Sequence, residues 1–190
     1  MTYPEDVRLR LAGVADAEAI AALHADSWRR NYRGAYSDAF LDGDVISDRL
    51  VVWADRLREP DPLRYTLVAE DGDGVIGFAH TAFDEDPSWG ALLDNLHVVH
   101  GRNRRGVGSL LLDATARVVI ERRTGLYLWV QEQNVAAQAF YEARAGTCVD
   151  RAVISPPGGV ASRLNGSPVK LRYVWSRQQL ARLNGRHGVD

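Results

Sequence analysis

Lysine is nearly missing from this chain: Lys170 is the only one among 23 basic side chains, so positive charge rests on arginine. Cysteine is as scarce. Cys148, the single thiol, has no second cysteine to form an internal disulfide, which fits a reducing compartment. The five histidines show no zinc-ligand spacing with cysteines, and His97 and His100 lie three apart at a strand end, so no metal site is expected. No apolar run approaches the roughly 20 residues of a membrane span, and no N-terminal stretch resembles a signal peptide. The expectation is a cytoplasmic protein with no membrane partner. Charge of one sign is also lacking. A net charge of −2 gives no general case for nucleic acid, leaving the arginines at 102 to 105 as a local feature.

What is present is an ordinary globular composition, 46% hydrophobic and 25% charged over 190 residues, expected to fold as one domain spanning 1–190. The most informative stretch runs from Leu93 to Leu112. It reads as a strand (about Leu92 to Val99), a basic loop with two glycines, and an amphipathic helix with Val107, Leu110, Leu111, Ala114 and Val118 on its apolar face. Ser109, Asp113, Arg117 and Glu121 are expected elsewhere on that helix. A Gly-containing loop at a helix N-terminus suits an anion, because the first N–H groups have no internal partner and the helix dipole is positive there. Gly106 and Gly108 let the anion approach, and Arg102, Arg104 and Arg105 surround it. A Walker A loop needs Lys-Ser or Lys-Thr after Gly106, where Val107 and Gly108 stand. A dinucleotide loop needs a third glycine where Leu111 stands.

Along the chain, Val7, Leu9 and Leu11 alternate as a first strand, and an Ala-rich helix follows with Asp16 as its N-cap. Trp28 to Asp44 reads as a bent, loop-rich connection. A second helix covers Ser47 to Leu57, with Leu50, Trp53 and Leu57 on one face. Tyr65 to Glu70 and Val75 to Phe83 flank Asp71-Gly-Asp-Gly74, a hairpin signal. After the central helix come a strand (Leu126 to Val130), a helix capped by Asn134 and stopped by Gly146, a strand (Thr147 to Ile154), a loop (Ser155 to Ser167), a last strand (Pro168 to Ser176) and a short terminal helix. The order β-α-α-β-β-β-α-β-α-β-β implies an α/β (α+β) architecture. A central mixed sheet of six to seven strands would carry helices on both faces.

That order and two motifs resemble the GNAT family of acyl-CoA-dependent N-acyltransferases, from about Val7 to Trp175. The first motif is Asn103-Arg104-Arg105-Gly106-Val107-Gly108, similar to the family's Arg/Gln-x-x-Gly-x-Gly/Ala except that Asn103 replaces the usual Arg or Gln. The second is Leu128 to Gly146, in which Asn134, Ala137, Phe140, Tyr141 and Gly146 keep the family's offsets. Trp28, Tyr32-Arg-Gly34, Trp53 and Lys170 to Trp175 look like a common bacterial branch with many different amine acceptors.

The resemblance implies acetyl-CoA as co-substrate and a primary amine as acceptor, joined by direct transfer in a ternary complex. Residues Asn103 to Ser109 would hold the pyrophosphate, chiefly through backbone N–H groups from Arg104 to Ser109. Splayed strands near Val98 and Val99, with Asn134, would bind the pantetheine arm. Tyr141 is the candidate acid for the leaving thiolate, since a phenol of reference pKa about 10 suits that donation. Many relatives carry a glutamate base where Leu92 stands here. Asp94, two residues on and on the same face of an undistorted strand, and His97 are the candidate bases, with a water wire or an amine bound already neutral as the equal alternative. By analogy Trp28 and Tyr32 would line the acceptor site, and Glu85 and Asp86 would attract a cationic amine. Cys148, with no histidine partner, is not expected to carry a covalent acyl group. The competing readings are an acyl-CoA-sensing domain without turnover, and a nucleic-acid binder using Arg102 to Arg105. The loop from Ser155 to Ser167 and the last strand leave room for a homodimer.

Overall fold

The computed structural model describes residues 6–102 and 105–185. One seven-stranded sheet runs through it in the order β1-β2-β3-β4-β5-β7-β6. The strands are β1 (Arg8–Leu11), β2 (Arg64–Asp71), β3 (Gly74–Asp86), β4 (Gly90–Val98), β5 (Leu126–Gln131), β6 (Thr147–Val153) and β7 (Val169–Trp175). Only β4 and β5 pair in parallel; the other neighbours are antiparallel, so the sheet is mixed as expected. The hairpin at Asp71 to Gly74 forms, with Asp71 opposite Gly74. β7 enters between β5 and β6, so the last strand has no open edge to offer a second copy.

Helices cover both faces. On one lie α1 (Ala17–Asn31), the short α2 (Asp38–Asp42) and α3 (Val45–Arg56); Ile20, Leu23 and Trp53 pack there against Val68 and Phe78. On the other lie α4 (Val107–Glu121), α5 (Val135–Ala143) and α6 (Arg177–Gly185), whose apolar residues meet Ala79, Ala91, Leu93, Leu126 and Leu128. Among the described residues no helix is long and apolar enough to cross a membrane.

Four local expectations change. The span from Trp28 to Asp44 is less loop-like than its glycines suggest: α1 continues to Asn31, and Ser37 caps α2 by accepting the Phe40 N–H. In α3 the buried face is Val45, Arg49 and Trp53, while Leu50 is exposed. In α4, Ser109 and Asp113 are buried, because the helix is covered by the sheet on one side and by α6 on another. Asp113 pays its desolvation through an ion pair with Arg144, just beyond α5, which is itself 8% exposed. Asp16 occupies the N-cap position of α1, yet its carboxylate does not cap the helix. It takes two N–H bonds from Arg10 at 2.7 Å each and one from the Gly13 N–H.

Candidate active site

β4 and β5 pair only at Ala91↔Leu126 and Leu92↔Tyr127. Beyond those pairs the strands separate, and a cavity of about 860 Å³ fills the gap. The opening therefore starts earlier than the two valines singled out from sequence. Within it, the polar groups of β4 face empty space. The Val99 N–H donates to the Ile76 carbonyl at 2.8 Å. The alternation of an antiparallel ladder then turns the N–H and C=O of Leu96 and Val98 away from β3 and toward the gap. Val98 lines the cavity. Val99 does not: its N–H is spent on Ile76 and its side chain packs beside Val68 and Phe78.

One irregularity in β4 decides which side chains share a face. Asn95 pairs with His80 and Leu93 with Thr81, so Asp94 is an extra residue at a bulge. In an undistorted strand, Asp94 and His97 would point to opposite faces. The bulge puts both toward α1 and α3. Arg56, the last residue of α3, donates to the Asp94 carboxylate at 2.8 Å. The Nδ1 of His97 lies 2.7 Å from the Ser27 hydroxyl on α1. The expectation for Asp94 holds by plain alternation from Leu92 through Leu93; the bulge shifts the phase of the residues after it and brings His97 onto the same face.

The cavity thus passes through the sheet. On the α4 and α5 side it is walled by Arg105, Gly106, Gly108, Ser109, Asn134 and Tyr141. On the other side stand Ser27, Asn31, Tyr32, Asp94, His97 and Trp129. Two sequence segments 30 residues apart and a pair of strand residues are brought to one opening by the parallel β4–α4–β5 crossover.

At its first end, Gly106 takes φ +87°, a left-handed conformation open to glycine at little cost, and starts α4. The first helical hydrogen bond runs from Leu110 N–H to the Gly106 carbonyl. Among the described residues the N–H groups of Val107, Gly108 and Ser109 have no hydrogen-bond partner and are left for an anion, while the Val107 side chain turns into the core. Asn103 and Arg104 lie outside the described residues. Arg102 does not face this loop: it pairs with Asp73 at 2.7 Å and Asp71 at 3.0 Å. Asn134 caps α5, its side-chain oxygen accepting the Ala137 N–H at 3.1 Å, and its NH₂ makes no hydrogen bond among the described residues.

An acetyltransferase (GNAT) family model matches residues 19–146, more than half of the chain. The chain belongs to that family. It is 29% identical over 141 residues to an uncharacterised N-acetyltransferase of Bacillus subtilis, covering 72% of this chain and 78% of the relative. A GCN5-related N-acetyltransferase from Rhodopseudomonas palustris superposes with a TM-score of 0.69 at 21% identity, covering 93% of this chain and 97% of the other. A Salmonella typhimurium acetyltransferase structure that contains acetyl-CoA superposes with a TM-score of 0.64 at 16% identity, covering 91% and 95%. The GNAT fold expected from the sequence is the fold observed.

Within this GNAT domain, Tyr141 is 7% exposed, lies at the cavity wall, and touches the rings of Phe140, Tyr173 and Trp175. Burial pushes its phenol pKa well above the ordinary tyrosine value, so the hydroxyl keeps its proton. Burial also pulls His97 down to about 4, opposed by Asp94, leaving a neutral imidazole at neutral pH. Trp28 does not line the cavity. Its indole is buried among His24, Tyr32, Tyr36 and Phe40, with the Arg49 guanidinium 4.4 Å above it. Tyr32 does line it. Glu85 is drawn off to Arg64 at 3.2 Å, and neither it nor Asp86 reaches the cavity. Cys148 is exposed on the edge strand β6, away from the site. Sequence reasoning missed Ser27, Asn31 and Trp129. The alternation of β5 carried a signal for the last, because with Leu128 and Val130 in the core, Trp129 must face the other side.

Proposed function

We propose that this GNAT protein transfers the acetyl group of acetyl-CoA to a primary amine by direct attack in a ternary complex. The through-sheet cavity carries the reading: donor-type groups wall one face, and acceptor-side groups the other. The pyrophosphate would rest on the N–H groups of Val107, Gly108 and Ser109, with Arg105 beside them. The pantetheine arm would run along the unpaired edge of Leu96 and Val98 and meet the Asn134 amide. The amine nitrogen, entering from the side of Tyr32 and Trp129, attacks the thioester carbonyl. The C–N bond forms, the tetrahedral adduct collapses, and the C–S bond breaks.

Tyr141 then donates its proton to the departing sulfur. A buried phenol holds that proton at every working pH, passes it to the sulfur as the C–S bond breaks, and recovers a proton from solvent afterwards. The ammonium proton would leave on the opposite face, to Asp94 or His97 or to a water between them and the amine. His97 offers a neutral ring fixed by Ser27, and Asp94 a carboxylate oriented by Arg56. Thiol release from acetyl-CoA, measured with a panel of primary amines, tests the proposal. Amine-dependent release is expected. Coenzyme A binding without release for any amine would favour an acyl-CoA sensor instead.

A further inference from the structure

On the acceptor side, β5 and β7 build a second feature that acetyl transfer itself does not use. Trp129 and Arg172 are register partners, so their side chains share one face of the sheet. The Arg172 guanidinium lies 4.3 Å from the Trp89 ring and 4.4 Å from the Trp129 ring, and Lys170, the only lysine, places its ammonium 4.5 Å from Trp129. Aromatic faces hold both cations where solvent alone would leave them mobile. Their charge is only half answered. Asp150 reaches Arg172 at 3.4 Å, longer than a good charged hydrogen bond, and the Arg172 Nε is buried without a partner. Among the described residues no carboxylate lies within ion-pair distance of Lys170. The nearby Asp94 is committed to Arg56.

We propose that Lys170, with Arg172 beside it, binds a carboxylate on the acceptor, so that the substrate is an amino-acid-like amine. This rests on the acetyl-transfer reading above. Its amine would lie at the strand gap by Asp94 and His97, and its carboxylate past the Trp129 ring. One uncompensated positive charge matches a carboxylate better than a phosphate monoester, which carries nearly two negative charges at neutral pH. Half-burial beside Arg172 lowers the Lys170 pKa, and an entering carboxylate would favour its charged form again.

Calorimetry on the coenzyme A-bound protein, comparing amino acids with their carboxamides, reads this without requiring turnover. The acids should bind about tenfold or more tightly. Lys170→Met should erase that preference and Lys170→Arg should keep it. Carboxamides binding as well as acids, or a preference surviving Lys170→Met, would overturn the inference. Acid-selective binding with no thiol release from acetyl-CoA for any amine would support the inference and overturn acetyl transfer instead.

Discussion

Replacing Asp113 with Asn tests how the two halves of the site are held together. Asp113 is fully buried in α4, the helix that begins with the anion loop, and its partner Arg144 closes α5, the helix that carries Tyr141. Arg144 is anchored as well through its carbonyl, which accepts the Trp175 indole N–H at 2.8 Å. Asparagine preserves shape and one acceptor oxygen but removes the charge that answers the guanidinium. Breaking a buried pair in this way costs about 3–5 kcal/mol, because the remaining charge stays desolvated. For a chain of this size that is a fall in Tm of roughly 6–20 °C. Thermal unfolding followed by circular dichroism reads it. In an Arg144→Met background, where no guanidinium is left stranded, the same Asp113→Asn change should cost at least about 2 kcal/mol less. A single-variant loss below about 1 kcal/mol, or equal losses in both backgrounds, would refute the argument.

Acid should loosen the fold through its buried histidines. Burial lowers His80 and His97 to about 4 and His24 well below its ordinary value, so the unfolded chain binds more protons than the native one below about pH 6.5. Stability should be full above that pH and lost as pH falls toward 4, by up to about 1.4 kcal/mol per pH unit for each histidine. Urea midpoints that stay flat from pH 7 to 5 would contradict this. Gly146→Ala would set a methyl 2.5 Å from Trp175 Cζ2 and 2.9 Å from the Tyr141 carbonyl, so stability should fall by about 1–3 kcal/mol in denaturant titrations. Asp94→Asn and His97→Gln should each alter the pH profile of kcat/KM; profiles superimposable on the parent would dismiss both as proton acceptors.

The sequence made the donor side legible because its determinants are local. Gly106, Gly108, Asn134 and Tyr141 sit at fixed offsets within two short segments, and both segments fold as strand, turn and helix. The acceptor side depends on features with no local signature. The bulge at Asp94 turns Asp94 and His97 to one face, and nothing in Leu92 to Val98 announces an extra residue. Trp28 is an aromatic near the site in sequence order, yet tertiary packing draws it into the core and leaves Tyr32 at the wall. Phase errors in α3 and α4 share a cause. Arg49, Ser109 and Asp113 are polar residues that the fold buries, Arg49 over an indole and Asp113 in an ion pair, which hydrophobic periodicity cannot anticipate. Interleaving β7 between β5 and β6 is likewise a long-range pairing, and it is what sets Lys170 and Arg172 beside Trp129.

The role of Tyr141 bears most directly on whether this cavity catalyses acetyl transfer. Turnover of Tyr141→Phe should fall by about 10²-fold or more, since the variant keeps the ring packing but has no proton for the leaving thiolate, while coenzyme A affinity stays near the parent value. A variant with unchanged kcat would contradict the account.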